Sequence, residues 1–150
     1  MMWDRVVKIN NIILPIVGLG LMIFYEVCDT SCTYLQGTFA GVDLKMVGIL
    51  HMAVLLLLNL PSLSHRHTGL VNNLRTMMLS GAVGGEVILV RFQIVHNTYC
   101  PFCMAFGLCI LVLFTAHFQK MSKLLALVCF SAGIIAFALF FKGAVLPLYL

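Results

Sequence analysis

Charged residues are scarce in this chain, and their scarcity excludes a soluble globular domain. Only 9% of the 150 residues are charged, whereas 62% are hydrophobic and the mean hydropathy is +1.08. A soluble domain is about a quarter charged and about half apolar. Lipid must therefore solvate much of the chain. The nine basic residues are spread along the sequence, so we expect no nucleic-acid partner.

Motifs for bound cofactors and for processing are also missing. The chain has no Cys-x-x-Cys-His for haem and no Gly-x-Gly-x-x-Gly after a strand for a nucleotide. No small-x-small cleavage site follows the first apolar stretch, so we interpret the amino terminus as an uncleaved anchor. Without a repeat, a low-complexity tract or a linker, we expect a single membrane domain with no attached soluble domain.

Long apolar runs predict that the chain is an all-α integral membrane helical bundle over residues 1–150. Each run has most of the ~20 residues that cross a bilayer core. Backbone polar groups must find partners within lipid, so the runs should be helical. The predicted spans are roughly 10–27, 44–60, 76–96, 101–118 and 124–148.

Lysine and arginine predict the orientation of these spans. Cytoplasmic loops of membrane proteins carry an excess of basic residues. With the amino terminus in the cytoplasm, six basic residues fall inside (Arg5, Lys8, Arg66, Arg75, Lys120 and Lys123) and two outside (Lys45 and Lys142). We therefore expect a multi-pass protein of the cell inner (plasma) membrane. This orientation places the segments 28–43 and 97–103 outside.

Four of the six cysteines form two short pairs where predicted spans meet water. Cys28 and Cys32 follow the first span, while Cys100 and Cys103 open the fourth as Cys-Pro-Phe-Cys. A Cys-x-x-Cys holds two sulfurs close enough to form and break a disulfide with little backbone movement. The first pair alone fits a structural loop disulfide equally well. Together, the two pairs on one face favour a thiol relay.

The local sequence predicts a stabilised thiolate at the second pair. Asn97 and Thr98 can cap the helix that begins there, and Pro101 suits its first turn because a missing N–H costs nothing at that position. The first-turn N–H groups and the helix dipole stabilise an anion, and the thiolate is the nucleophile in disulfide exchange. His96 could also tune this thiolate.

Glu86 and Arg91 are ionisable residues inside the third span, where such residues usually face a cavity or a partner. Glu86 either has a function or hydrogen-bonds a neighbouring helix, and Arg91 could reach the interface. His51 in the second span is more simply a contact between helices.

Cys109 and Cys129 lie among apolar residues of the last two spans, and we interpret both as core residues. Gly81, Gly84 and Gly85 predict close packing of the third span against a neighbour.

The order of these parts resembles the vitamin K epoxide reductase family. Its bacterial members have a first span that ends in a loop cysteine pair, and a Cys-x-x-Cys at the outer start of the fourth span. The matching segments are 32–48 and 93–103, the latter reading Gln-Ile-Val-His-Asn-Thr-Tyr-Cys-Pro-Phe-Cys. The resemblance covers nearly the whole chain. Asp43 stands where the family usually has proline, and Gly107 where animal members often have tyrosine.

The resemblance implies a four-helix redox core made of the first four spans, with a fifth, peripheral transmembrane helix. A membrane quinone, ubiquinone or menaquinone, would lie near Cys103. The neighbouring apolar side chains would wall this ligand site, namely Phe102, Met104 and Phe106.

The resemblance also implies a direction for the electrons. Cys103 would reduce the quinone, and Cys100 would close the disulfide and then exchange with Cys32. The oxidised Cys28–Cys32 pair would oxidise a periplasmic thioredoxin-like protein. The chain would thus be a quinone-dependent thiol-disulfide oxidoreductase.

Two other functions place cysteine pairs at membrane ends. A small heavy-metal transporter of the mercuric-ion type would use them because soft thiolates suit soft metals. Such a transporter needs thiols along a path or on both faces, whereas both pairs here are predicted outside. The third interpretation is a structural membrane subunit with incidental cysteines.

Overall fold

The computed structural model describes residues 2–27, 35–60 and 68–145. Cys28 and Cys32 lie outside the described residues. The described helices are α1 (Met2–Val27), α2 (Leu44–Leu58), α3 (Thr68–Val95), α4 (Pro101–His117) and α5 (Lys123–Phe140), with a 3-10 turn at Phe118–Lys120. The strands are β1 (Leu35–Phe39), β2 (Val42–Asp43) and β3 (Phe141–Val145).

Four of the described helices are long and apolar enough to cross a membrane, and the fifth, α2, is apolar but only 15 residues long. Their windows are Ile9–Val27, Gly69–Val95, Pro101–Lys120 and Lys123–Phe140. Many large apolar side chains remain exposed on the outside of the bundle, as lipid contact requires. The prediction of an all-α membrane helical bundle is confirmed.

Three predicted spans differ clearly from the helices in the structure. The first helix begins earlier than predicted, at Met2. The third begins earlier, at Thr68, because a polar stretch around Asn72 and Arg75 is helical without being apolar. The fifth, predicted over 124–148, is too long, since α5 ends at Phe140 and the next five residues form β3. Apolar residues such as Val145 continue past this helix end, so hydropathy alone extends the span.

A three-stranded antiparallel sheet closes one end of the bundle, in the order β2–β1–β3. β1 and β2 form a hairpin through Ala40 and Gly41, whose φ angles are 51° and 86°. Two consecutive positive φ values are typical of the type I′ turn that matches the twist of paired strands. On its other edge β1 pairs with β3 from Leu35↔Val145 to Phe39↔Phe141. The sheet thereby joins the segment before α2 to the end of α5.

Within the bundle, α1 packs against α2 and α4, while α3 packs against α4 and α5. The core side chains are apolar, and Met52, Leu55, Leu79, Ile110 and Leu113 are almost fully buried.

The α3–α5 contact is close because glycines lie in it: a Cβ on Gly84 would meet the Phe130 carbonyl oxygen at 2.3 Å. The Phe137 ring covers Gly85, and Gly133 of α5 meets the Gly81 backbone. The predicted glycine-mediated packing of the third span is confirmed.

The end of the bundle away from the sheet is tied by polar contacts. The Arg75 guanidinium donates to the Leu58 carbonyl oxygen at 3.1 Å and lies 3.3 Å from His117 Nε2. Asn72 Nδ2 donates to the Lys120 carbonyl oxygen at 3.0 Å. These bonds join the ends of α2, α3 and α4.

Candidate functional site

The connection between α3 and α4 brings the second cysteine pair to the sheet end. Asn97 adopts φ 49°, a left-handed conformation that asparagine tolerates better than most residues. Its N–H donates to the Ile94 carbonyl oxygen at 3.2 Å, and the Thr98 N–H donates to the Gln93 carbonyl oxygen at 3.0 Å. This pair of bonds is a Schellman motif, which ends a helix.

The predicted capping roles of Asn97 and Thr98 are therefore wrong. Both residues end α3, and the residue that caps α4 is Cys100 itself. Cys100 has extended backbone angles, φ −97° and ψ 111°, and its Sγ accepts the Cys103 N–H at 3.4 Å. Pro101 occupies the first turn of α4, as predicted.

Gln93 fixes the position of Cys100. The Gln93 side chain is 1% exposed, and its Oε1 accepts the Cys100 N–H at 3.0 Å. This bond joins the last turns of α3 to the residue that begins α4. The sequence shows Gln93 as a polar side chain near the end of an apolar helix, but only the fold shows which group its amide bonds.

Tyr25 of α1 completes the surroundings of Cys100. The two side chains are buried together, at 4% and 3% exposure, and the Tyr25 hydroxyl hydrogen-bonds the Cys100 sulfur. The ring of Phe102 packs beside Tyr25, with centroids 5.6 Å apart. In the sequence, Tyr25 precedes Cys28 by three residues. The end of α1 that leads to the first cysteine pair thus lies against the second pair.

Hydrogen bonds make Cys100 the more acidic thiol of a pair that is reduced in this structure. Its hydrogen bond with the Cys103 thiol lowers the pKa of Cys100, and the backbone N–H groups of Cys103 and Phe102 act in the same direction against the opposing effect of burial. The predicted thiolate at the start of α4 thus has a structural cause, namely the cap and the neighbouring thiol.

A cavity of about 470 Å³ lies beside this thiol pair. Cys103 borders it, whereas Cys100 is not part of its lining. The wall is mainly apolar, with Met22, Leu89, Phe106, Ile110 and Phe141 from different elements. Ligand pockets in proteins typically have volumes of about 300–1,000 Å³ and mainly apolar walls with a few polar groups. The cavity can therefore hold a ring-sized apolar molecule next to one sulfur of the pair.

α5 forms one wall of this cavity, so the expectation that the fifth span is peripheral is wrong. Its lining residues include Cys129, Ala132, Gly133, Ala136 and Phe137. α5 reaches this position because its glycine and alanine residues let it approach α3 closely, and because β3 holds its end against β1.

The structure separates the three side chains predicted to wall a quinone. Phe106 is buried and lines the cavity. Phe102 is outside the lining and packs on Phe24 and Tyr25. Met104 is 47% exposed on the outside of α4. The apolar wall opposite Cys103 comes instead from α2, α3 and α5, which local sequence around the cysteines does not reveal.

Glu86 and His51 are the polar groups within the apolar part of the cavity wall. His51 Nε2 is buried and has no hydrogen-bond partner among the residues that the structure describes. The Glu86 carboxylate packs against Gly107 of α4. A Cβ added at Gly107 would lie only 2.8 Å from Glu86 Oε2. Arg91 is exposed and makes no ion pair with Glu86. Both Glu86 and His51 therefore present unneutralised polar groups to whatever occupies the cavity.

The remaining candidates have ordinary surroundings or a changed position. Cys109 is buried in the main core, which confirms its interpretation as a core residue. Cys129 lines the cavity instead. His96 stacks on Phe92, and its Nδ1 lies 2.9 Å from the Phe92 carbonyl oxygen.

Charged groups form the rim of the cavity near the sheet. Lys45 Nζ lies 2.5 Å from Glu26 Oε2 and 3.7 Å from Asp43 Oδ2. Asp43 also caps α2, since its Oδ1 accepts the Lys45 N–H at 3.0 Å. Asp43 thus begins the second helix. Lys45 and Asp43 border the cavity, which therefore extends from an apolar interior to a charged edge.

Within the described ranges, no three side chains among His, Cys, Asp and Glu come close enough to hold one metal ion. No family model matches the chain, and neither does a curated protein or a solved structure.

Proposed function

We propose that this protein is a quinone-dependent thiol-disulfide oxidoreductase of the cell inner (plasma) membrane. It accepts electrons from a thioredoxin-like protein outside the membrane and passes them through its two cysteine pairs to a membrane quinone. The observation that carries this proposal is that the two cysteines of the second pair occupy different positions. Cys103 borders an apolar cavity, while Cys100 caps the helix beside the end of α1.

The residues of the cavity fit a quinone. A benzoquinone or naphthoquinone ring is flat and apolar and has two carbonyl oxygens that accept hydrogen bonds. The wall supplies aromatic and aliphatic side chains, and two of its polar groups come from different helices, His51 on α2 and Glu86 on α3. The unpartnered His51 Nε2 is an orphaned buried group that a bound ligand would satisfy. These residues would hold the quinone, which supplies a two-electron, two-proton acceptor when bound.

The thiol pair is arranged to deliver two electrons. The Cys103 N–H donates to Cys100 Sγ at 3.4 Å, which keeps the two sulfurs near each other at the first turn of α4. Joining the sulfurs in a disulfide releases two electrons, and Cys103 is the sulfur that borders the acceptor's cavity. Cys100 is then the sulfur that a second thiolate attacks, because it packs against Tyr25 of α1 and is not part of the cavity lining.

The first pair supplies that second thiolate in the proposal. Cys28 follows Tyr25 by three residues in the sequence, and Cys32 precedes Leu35, the first residue of β1, by three. Cys32 attacks Cys100, Cys28 attacks Cys32 in turn, and the pair leaves as a disulfide with the second pair reduced. The Cys28–Cys32 disulfide then oxidises the external dithiol protein.

Partner trapping tests the relay and separates it from metal transport. Replacing Cys32 by serine removes the thiol that would otherwise attack a mixed disulfide between Cys28 and the partner and release the partner. In intact cells we expect a disulfide-linked adduct between the Cys32→Ser protein and an extracytoplasmic thiol protein, detected by non-reducing electrophoresis and mass spectrometry. The adduct should disappear in the Cys28→Ser/Cys32→Ser protein. Uptake of labelled Hg²⁺ with no mixed disulfide supports the transporter and contradicts the relay.

A further inference from the structure

Two carboxylates line the cavity, and they differ in their surroundings. Asp43 is at the rim, where it caps α2 and lies 3.7 Å from Lys45 Nζ. Glu86 lies within the membrane-spanning part of α3, and among the described residues no lysine or arginine forms an ion pair with it. An ionisable side chain inside a membrane span is costly and usually has a function. Asp43 therefore has a structural role as the cap of α2, whereas the described contacts give Glu86 no such role.

The position of Glu86 relates it to Cys103. A Cβ on Gly107 would lie 2.8 Å from Glu86 Oε2, so the carboxylate contacts α4 at that residue. Gly107 follows Cys103 by one helical turn, and residues four apart lie on the same helix face. Cys103 and Glu86 both border the cavity. A molecule in the cavity beside Cys103 therefore also meets the Glu86 carboxyl group.

From this placement we propose that Glu86 is a catalytic acid that protonates the acceptor when the thiol pair is oxidised. The proposal rests on the function proposed above and adds a residue to it. The need for such an acid follows from Cys100, whose lowered pKa means that it enters the step as a thiolate without a proton. Cys103 then brings one proton, while a quinone needs two to become a hydroquinone.

Protons and electrons balance with Glu86 as the second donor. The Cys100 thiolate and the Cys103 thiol join in a disulfide and give up two electrons. The acceptor takes these electrons with the Cys103 proton and the Glu86 proton, and a Glu86 carboxylate remains. When the Cys28–Cys32 dithiol reduces the disulfide, one of its protons returns to Cys103 and the other to Glu86. The negative charge returns to Cys100, so the cycle closes without another acid.

Other titratable groups face the same cavity and define what the test must separate. They come from every surrounding element: Tyr25 of α1, Asp43, Lys45 and His51 of the α2 region, Cys103 of α4 and Cys129 of α5. His51 can hydrogen-bond a ligand in its neutral form, so its loss should weaken binding. Loss of the Glu86 proton should slow the reaction after binding.

The test replaces Glu86 by glutamine in the fully reduced, purified protein. Glutamine keeps the size and a hydrogen-bond donor but carries no transferable proton. We expect hydroquinone formation from a short-chain ubiquinone in a single turnover to slow by roughly 10²–10⁴-fold, the range of general acid catalysis. Equilibrium binding of the quinone and quinone-free reduction of the Cys100–Cys103 disulfide by dithiothreitol should be unchanged. Glu86→Asp should recover part of the rate.

An infrared difference spectrum gives a readout that does not depend on rate. In a protein that carries Cys28→Ser and Cys32→Ser, so that no second dithiol returns a proton to Glu86, oxidation of the Cys100–Cys103 dithiol by quinone should remove a protonated-carboxyl band. That band should be missing when Glu86→Gln is added. The control is Gln119→Glu, which exchanges the same two residue types at an exposed position outside the cavity lining and should leave rate and band intact. An active wild type with an equally active Glu86→Gln overturns the role of Glu86 alone. A wild type that leaves the quinone unreduced overturns the proposed function as well.

Discussion

The two neighbours that α3 has across the bundle, α5 and α2, meet it in opposite ways. Towards α5 the backbones nearly touch, because Gly84 faces the Phe130 carbonyl and Gly133 faces Gly81. Towards α2 there are few contacts, and the space between the two helices is part of the cavity that His51 and Glu86 border.

The difference shows how a small membrane protein can keep a cavity open. Apolar side chains gain little by leaving lipid, so helix association in a membrane depends on close packing. Here the close packing is confined to the α3–α5 side, where small residues permit it. Among the described residues, no lysine or arginine pairs with Glu86 on the open side, which is the arrangement expected for a ligand site.

A substitution that separates α3 from α5 should have the largest effect on stability. In Gly84→Ala the added Cβ would lie 2.3 Å from the Phe130 carbonyl oxygen, so α3 and α5 must separate. Overpacking of this kind typically costs about 1–3 kcal/mol. We expect a lower midpoint of thermal unfolding in detergent, measured by thiol-reactive dye or by circular dichroism.

Gly20→Ala is the matched control for that variant. The same Cβ on Gly20 in α1 meets no atom within 4 Å, so the unfolding midpoint should be unchanged or slightly raised. Equal midpoints for Gly84→Ala and Gly20→Ala would contradict the close α3–α5 contact.

The close packing of α3 was predictable from the sequence, but the helix that it packs against, α5, was not. Gly81, Gly84 and Gly85 indicated close packing, but α5 is apolar on all sides and its sequence does not say which face meets α3. The sheet was missed for a related reason. β1 pairs with β3, which lies about a hundred residues later in the chain. In addition, an apolar strand directly after an apolar helix has the hydropathy of a longer helix and is predicted as part of it.

Beside the open side, we expect a smaller effect, namely a change in the pKa of Cys100. Its pKa is lowered first of all by the Cys103 thiol, so Cys103→Ala should move the pKa of Cys100 back towards the ordinary value of about 8.5 for a free cysteine. The shift should be partial because the backbone N–H of Cys103 remains. Thiolate ultraviolet absorbance against pH, with Cys100→Ser as the blank, measures it.

The same shift has a defined sign in stability. A thiol whose pKa is lower when folded stabilises the fold fully above the unfolded value, and this contribution is lost as pH falls through the folded value. Cys103→Ala should therefore weaken the pH dependence of the unfolding midpoint on the neutral to mildly alkaline side. A Cys100 titration that is identical in both proteins would contradict the hydrogen bond between the two thiols.

The chemistry of the site was more accessible to sequence than its geometry. Cys-Pro-Phe-Cys indicated a thiol pair at a helix start, and Pro101 is indeed in the first turn. The cap itself was assigned to Asn97 and Thr98, because residues that cap helix starts also tolerate the left-handed turn that ends a helix. Gln93 and Tyr25, which position Cys100, are single polar residues whose partners depend on how three helices meet.

Quinone-dependent oxidation of a thioredoxin-like dithiol by the purified protein in detergent tests the central claim most directly. We predict that added ubiquinone or menaquinone accelerates dithiol oxidation well above background, that Cys103→Ser removes this acceleration, and that Cys109→Ala keeps it because Cys109 is a core residue. If both disulfides form while added quinone leaves the rate at background, the protein is not a quinone-dependent oxidoreductase.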